Sequence, residues 1–246
     1  MNKVIRCKNT NNRKVFGLLL AQVFLGVCPV LLLVFFVLFE MYETQITAIV
    51  AIALIFLCNV AYSIVARRYN VLNSGRRGER RLYKAIKHLD GNNIVFCNLP
   101  VRYKRGRSEL DMLVISHKGI IIIEVKNHSG TIQGGWKADK WEQRKYYKNG
   151  QNTVQEMDNP IKQMRRQRDI VKSILNAAGE EVWIDTVLYF SSSNAKLKLN
   201  LRENDYVCLG SKELLSFLNG YDRGEVISKI QMEKYARILK EARANV

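Results

Sequence analysis

Hydrophobic positions change their spacing repeatedly along the chain. Val15 to Phe39 is apolar apart from Gln22, with Gly17, Gly26 and Pro29 inside it, and Ile46 to Val65 is a second apolar run interrupted mainly by Asn59. Each matches the roughly 20 apolar residues that a helix needs to cross a bilayer, and Glu40 to Gln45 between them is a short acidic loop. Tyr69 to Ser74 is the one plausible joint before a folded domain. There, Gly75-Arg-Arg-Gly-Glu79 opens a helix on which Leu82, Ile86 and Leu89 recur at helical spacing, and Asp90-Gly91 ends it. Ile94 to Leu99 predicts a strand, followed by a basic loop with Pro100 and Gly106. Glu109 to Ile115 and Gly119 to Lys126 predict two more strands, joined at Ser116-His117-Lys118-Gly119 by a turn with glycine in last position.

The later pattern continues as mixed α and β. Thr131 to Gly135 predicts a short strand, and Asn149-Gly150 between two strand-like runs, Trp141 to Tyr147 and Gln151 to Gln155, is a hairpin signal. Asp158-Asn159-Pro160 starts a long helix with proline near its first position; Ile161, Met164, Ile170, Val171, Ile174 and Leu175 form its apolar face, and Gly179 stops it. Val182 to Phe190 and Tyr206 to Leu209 predict strands, and Ser211 and Asp222 predict caps for two closing helices. No internal repeat or low-complexity linker interrupts this order.

Charge adds a topology and a class of partner. The net charge is +17. Lys3, Arg6, Lys8, Arg13 and Lys14 precede the first apolar run, and Arg67 and Arg68 follow the second. The positive-inside rule then predicts a multi-pass cell-membrane protein with both termini and the folded domain cytoplasmic. Tyr42, Tyr62 and Tyr69 stand where interfacial aromatics are expected, and Gln22 and Asn59 are placed to hydrogen-bond between the spans. The expected domains are a basic tail over 1–14, a transmembrane hairpin over 15–66 with spans near 15–39 and 46–65, and a cytoplasmic domain over 67–246. Such a basic balance favours nucleic acid, anionic lipid beside the anchor, or both. Arg67, Arg68, Arg76, Arg77, Arg80 and Arg81 crowd next to the membrane; Arg102, Lys104, Arg105 and Arg107 flank Tyr103 and point to nucleic acid, or form a solvated face. Five widely spaced cysteines give neither a zinc pattern nor a disulfide framework, which fits reduced thiols.

Candidate chemistry sits in Glu124-Val125-Lys126. An apolar strand has no packing reason to carry two charges two positions apart, and residues i and i+2 of a strand share a face. If only His117 and Lys118 form the preceding loop, Ser116 pairs with Gly119 and Asp111 lies opposite Glu124. A three-residue loop would slip the register and part them unless a bulge restores it. Two carboxylates that close repel unless a cation bridges them or one holds a proton. Two carboxylates and an ammonium suit a metal ion and an activated water, as phosphodiester hydrolysis requires; the plainer alternative is a solvated edge hairpin. Glu79, on the inward side of its helix, is a site residue or a helix-dipole partner. His128 reaches toward substrate or is a solvated loop histidine.

Taken in order, Gly75-x-x-Gly-Glu79, Glu109-x-Asp111, Gly119-Ile-Ile-Ile-Ile-Glu124-Val-Lys126-Asn127, Gly130 and Asn159-Pro160-x-x-Gln163 resemble the nuclease-related domain, a family assigned to the PD-(D/E)XK, restriction-endonuclease-like superfamily. The resemblance covers roughly Gly75 to Phe190. It implies an α/β fold, a central mixed sheet flanked by helices, here preceded by the two-helix transmembrane hairpin. It implies that Asp111, Glu124 and the Val125 carbonyl hold Mg²⁺ or Mn²⁺. Lys126 would orient the attacking water and stabilise charge on the phosphate, Glu79 would complete the metal shell through water, and Gln163 would line the site. Leu110 stands where the superfamily name has proline. The expected activity is a membrane-anchored nuclease acting on DNA, its backbone held by Arg102, Lys104, Arg105, Arg107 and His128, with no small organic cofactor. A homodimer would suit two-strand cutting. The competing expectations are a non-catalytic nucleic-acid-binding or tethering module that keeps the fold, and a membrane-surface scaffold that binds anionic lipid.

Overall fold

A computed structural model describes residues 2–7, 10–38, 45–147, 149–224 and 226–244. Most of the expected acidic loop, with Tyr42, and the basic residue Lys8 lie outside the described residues. The chain divides into two compact units, Asn9–Arg76 and Met1–Lys8 with Arg77–Val246.

Two helices make the smaller unit, α1 (Thr10–Leu38) and the first part of α2 (Gln45–Ile86). Both are long and apolar enough to cross a membrane, with mean hydropathies of 2.7 and 2.5 over their most apolar windows, and neither window is buried inside the chain. Phe16, Phe24, Leu31, Ile49 and Phe56 are among the large side chains left exposed. The helices meet through polar and small groups: Gln22 Nε2 donates to Tyr62 Oη at 3.2 Å, Gly26 faces the Tyr62 ring, and the Cys28 and Cys58 sulfurs lie 3.7 Å apart. Asn59 does not bridge them; its amide donates to the Ile55 carbonyl of its own helix at 2.9 Å. Four residues back along a helix is the nearest carbonyl, and in an apolar surrounding the nearest acceptor wins.

No new helix starts at Gly75: α2 runs unbroken through Tyr69 to Ser74 and past Gly75, and the division between the two units falls just beyond, between Arg76 and Arg77. The stretch holds no proline, and an isolated glycine inside a helix costs only about 1 kcal/mol.

The larger unit carries a six-stranded mixed sheet of β1 (Lys3–Arg6), β2 (Ile94–Tyr103), β3 (Gly106–Ser116), β4 (Gly119–Lys126), β8 (Ile184–Phe190) and β10 (Tyr206–Leu209), in the order β1-β2-β3-β4-β8-β10. A second sheet, in the order β7-β6-β5-β9, is built from β5 (Gly130–Gly135), β6 (Lys140–Tyr146), β7 (Asn152–Asp158) and β9 (Ala195–Asn200). The helices α3 (Pro160–Ala177) and α5 (Lys229–Ala244) cover one face of the six-stranded sheet, while the end of α2 and α4 (Gly210–Gly220) cover the other. The fold is α/β with mixed sheets and helices. Ile120 to Ile123 of β4 are at most 2% exposed, as expected of a central strand covered on both faces, and each contributes about 1.5–3 kcal/mol by burial.

Two strands went unread in the sequence. β1 comes from the basic tail and pairs in parallel with β2, Lys3 beside Ile94 and Arg6 beside Cys97. Asn2 fastens it through bonds to Asn93 and to the Ile86 and Leu89 carbonyls, and the Arg6 guanidinium lies 4.0 Å from the centre of the Tyr83 ring. A four-residue parallel edge strand has no turn to announce it. β9, Ala-Lys-Leu-Lys-Leu-Asn, does alternate apolar and polar residues.

Other differences have local causes. The expected basic loop is instead the far end of the β2–β3 hairpin, where Arg102 pairs with Arg107 and Tyr103 with Gly106. Pro100 is tolerated there because β1 pairs only with Ile94 to Cys97, so the proline lies on an open edge. Ser211 caps nothing; its hydroxyl meets Tyr189 Oη at 2.9 Å. Asp222 accepts from Gly224 N in a local turn, and α5 is capped by Ser228, whose hydroxyl takes the Gln231 N–H while Gln231 returns a bond to Ser228 N. That reciprocal pair is a capping box. The expected start of α3 stands: Asn159 accepts from Ile161 N at 2.9 Å, and its amide also donates to the Gly135 and Ala138 carbonyls.

Candidate active site

Ser116 pairs with Gly119, so His117 and Lys118 alone form the loop, and the β3–β4 register runs as far as Met112 with Ile123. The next two residues are Asp111 and Glu124. Here the strands part. Asn98, across from Asp111 on β2, has a left-handed backbone (φ 52°) between the pairs Cys97 with Met112 and Leu99 with Leu110. This kink turns the strands: Cys97 and Met112 face α2, whereas Leu99 and Leu110 face α3. The Lys126 carbonyl accepts from Ser191 N on the β8 side, and lateral directions alternate along a strand, so the Val125 N–H and C=O point toward β3. Asp111 Oδ2 accepts that N–H at 2.8 Å.

Glu124 and Lys126 share one face and touch. Lys126 Nζ donates to Glu124 Oε1 at 2.7 Å and to Gln163 Oε1 at 3.2 Å. Gln167 Nε2 donates to Glu124 Oε2 at 2.9 Å and to the Glu109 carbonyl at 3.2 Å. The Glu124 side chain is 4% exposed and that of Lys126 20%. Removing one partner from so buried a pair strands the other charge, at about 3–5 kcal/mol. Burial pushes the Asp111 carboxyl well above its ordinary value, and the Glu124 carboxylate pushes the same way. The Val125 N–H and Lys126 oppose this, and the Glu79 carboxylate adds a smaller upward push.

A second clamp fixes the ends of the strands. A Cβ on Gly78 would lie 3.0 Å from Val125 Cγ1, 3.1 Å from Asn127 Cβ and 3.1 Å from Ser191 Oγ, so only glycine lets α2 approach this closely. Arg81 donates to Asn127 Oδ1 at 3.0 Å and to the Ser191 carbonyl at 2.9 Å, and Ser191 Oγ donates to Asn127 Oδ1 at 2.9 Å. Through this contact Glu79 comes within electrostatic reach of Asp111.

Asp111, Glu124, Lys126 and Gln163 therefore converge, and Glu79 stands near them. Among the described residues no group of three or more His, Cys, Asp or Glu side chains is gathered tightly enough to hold a metal; the acidic centre is the pair Asp111 and Glu124. His128 is half-buried rather than solvated, and its Nδ1 lies 3.1 Å from Gln143 Oε1. Because Gln143 Nε2 already donates to the Ser129 carbonyl, its oxygen is the acceptor and His128 Nδ1 carries the proton. Burial lowers the His128 pKa, and Lys126 lowers it further, so the ring is neutral at pH 7. Arg102, Lys104, Arg105 and Arg107 lie on the β2–β3 hairpin rather than among the carboxylates.

The sequence reading missed Gln167 and counted Arg81 only among the arginines next to the membrane. A signal for Gln167 existed: Gln163 and Gln167 lie four apart on a helix face otherwise built of Met164, Ile170, Val171 and Ile174. Nothing in the spacing marked Arg81 off from its neighbours Arg77 and Arg80.

Residues 74–191 match the family model of the nuclease-related domain. The chain carries a nuclease-related domain. Every site residue named above falls inside that match. Over 71 residues the chain is 32% identical to an uncharacterized protein of Bacillus anthracis, covering 28% of this chain and 34% of that protein. The chain thus spans about a third of that relative's length. No solved structure matches it significantly.

The buried carboxyl of the nuclease-related domain gives a pH signature. With the folded pKa of Asp111 raised above its ordinary 3.8, the folded metal-free chain keeps a proton that the unfolded chain loses. Stability therefore falls as pH rises from near 3.8 toward the raised value, by at most about 1.4 kcal/mol per pH unit. Asp111→Asn removes that decline, read as melting temperature against pH in a chelator. Parallel profiles for the two proteins would contradict the desolvated carboxyl.

Proposed function

We propose that this protein is a membrane-anchored, metal-dependent nuclease with a restriction-endonuclease-like core, hydrolysing phosphodiester bonds in DNA in the cytoplasm. The observation that carries the reading is the meeting of Asp111, Glu124 and Lys126 at the strand fork, inside a nuclease-related domain.

The donor set fits the ion. Mg²⁺ and Mn²⁺ prefer hard oxygen ligands, and Mg²⁺ is commonly held by one or two carboxylates while keeping several waters. Asp111 and Glu124 would supply the carboxylates, and the Val125 carbonyl, turned toward the fork, would supply a third oxygen. A cation there would offset the burial and the Glu124 repulsion that raise the Asp111 pKa. When bound, the metal supplies an activated water and offsets negative charge on the reacting phosphate. Lys126 adds a fixed ammonium that orients the attacking water and stabilises charge in the transition state. Gln163 holds Lys126 and Gln167 holds Glu124, and Glu79 would complete a metal shell through water. His128, neutral and anchored by Gln143, presents Nε2 as its remaining polar atom to bound nucleic acid. Arg102, Lys104, Arg105 and Arg107 hold the phosphate backbone. Arg102 and Arg107 are directly opposed on the hairpin, and like charges so placed are destabilising until a polyanion lies across them.

Anchoring rests on the exposed apolar surfaces of α1 and α2. Residues before α1 and residues after α2 share one sheet, since β1 pairs with β2. The chain therefore leaves and re-enters the same compartment, which an even number of crossings satisfies. The basic flanks make that compartment the cytoplasm.

Full-length protein in detergent, given plasmid and linear DNA with Mg²⁺ or Mn²⁺, should cleave. Lys126→Ala and Asp111→Asn should each reduce cleavage by about 10²–10³-fold. Equal cleavage by wild type and variants would end the nuclease reading and leave a binding module. For topology, Glu43→Cys in intact cells should react with a membrane-impermeant maleimide while the wild-type cysteines do not. Labelling only after permeabilisation would contradict the proposed orientation.

A further inference from the structure

A basic groove of about 490 Å³ runs between α3 and the tip of the β2–β3 hairpin, lined by Tyr103 and Ile170 and by Lys162, Arg165, Arg166 and Asp169. The same helix borders both the groove and the candidate site, with Lys162 next to Gln163 and Arg166 next to Gln167 in its sequence. We propose that this groove binds a single strand of nucleic acid entering or leaving the site. The proposal rests on the nuclease reading and names the form of the substrate.

Three features carry it. The first is charge. Asp169 is satisfied by Arg168 at 3.2 Å, and Arg165 by Asp205 at 3.1 Å, but Arg166 is exposed and forms no ion pair among the described residues. Among the described residues Lys162 pairs only with Asp139, a carboxylate 93% exposed, and so exposed a pair contributes little that another anion would have to displace. The second is an aromatic wall. Tyr103 is half-buried against the apolar core, so its ring is held while one side faces the groove. Lys104 Nζ lies 5.5 Å from the centre of that ring. Aromatic faces bordered by basic side chains hold single strands, because every base has a face to stack and every linkage a charge. The third is size. An open groove of about 490 Å³ between a helix and a hairpin has room for a short run of one strand, whereas a duplex presents two backbones across a broader front.

The test uses the full chain in detergent carrying Lys126→Ala, so that substrate survives, and fluorescence anisotropy of a labelled single-stranded oligonucleotide and of its hairpin duplex over a salt series. The single strand should bind more tightly. Arg166→Ala should weaken it and lower the slope of log K against log salt by about 0.7, one phosphate contact on a single strand. Tyr103→Leu should weaken binding about fivefold or more, with Tyr103→Trp restoring it. Lys198→Ala, an exposed lysine on β9, should change nothing. Absence of salt-dependent binding to either DNA would overturn the nuclease reading itself. Binding that Arg166→Ala leaves unchanged, that Lys198→Ala weakens equally, or that favours the duplex would overturn the groove alone. Displacement of the oligonucleotide by anionic lipid in wild type but not in Arg166→Ala would assign the groove to a lipid surface instead.

Discussion

Asp111 takes the Val125 N–H with its side chain, at the point where β3 and β4 stop pairing. An N–H turned toward a parted neighbour would otherwise be a buried donor without a partner, a loss of about 1–3 kcal/mol. The bond closes the fork and, in the same act, pins a carboxylate beside Glu124. The left-handed Asn98 on β2 and the glycine contact of Gly78 serve the same end from the two sides. One holds the outer strand through its change of face, and the other brings α2 and Glu79 up to the strand ends.

From this constraint the electrostatics follow. Glu124 is nearly buried, yet each of its oxygens has a donor, Lys126 on one and Gln167 on the other. Burial first, and then the Glu124 and Glu79 carboxylates, raise the Asp111 pKa against a single backbone donor and Lys126. A satisfied carboxylate beside one whose charge is disfavoured is a place that one more positive charge would stabilise. Gln167 Oε1, buried and without a partner among the described residues, lies on the side chain that steadies Glu124.

How much of this was legible depended on range. Alternation on Glu109 to Ile115 and the apolar run after Gly119 narrowed the hairpin to two registers, because hairpin register is local; the two-residue loop, which the spacing alone left open, selects the one that brings Asp111 to the level of Glu124. Asn159-Pro160 marked the start of α3 for the same reason. Distant pairings were not legible. Lys3 to Arg6 looked like a charged flank, and only the waiting edge of β2 makes them a strand. Gly75 looked like a helix start, but nothing beside it interrupts the helix already under way. Ser211 and Asp222 are good caps by type and were outcompeted by Tyr189 and by a local turn. Gln167 was the avoidable omission, a polar residue at 0% exposure on a face otherwise apolar.

The account turns on whether the fork binds a divalent cation between its two carboxylates. An anomalous difference map from crystals grown with Mn²⁺, collected at the manganese edge, reads this directly. The prediction is one peak within coordination distance of Asp111, Glu124 and the Val125 carbonyl, absent in Asp111→Asn crystals. No peak at the fork under saturating manganese, or one that persists in the variant, would contradict it.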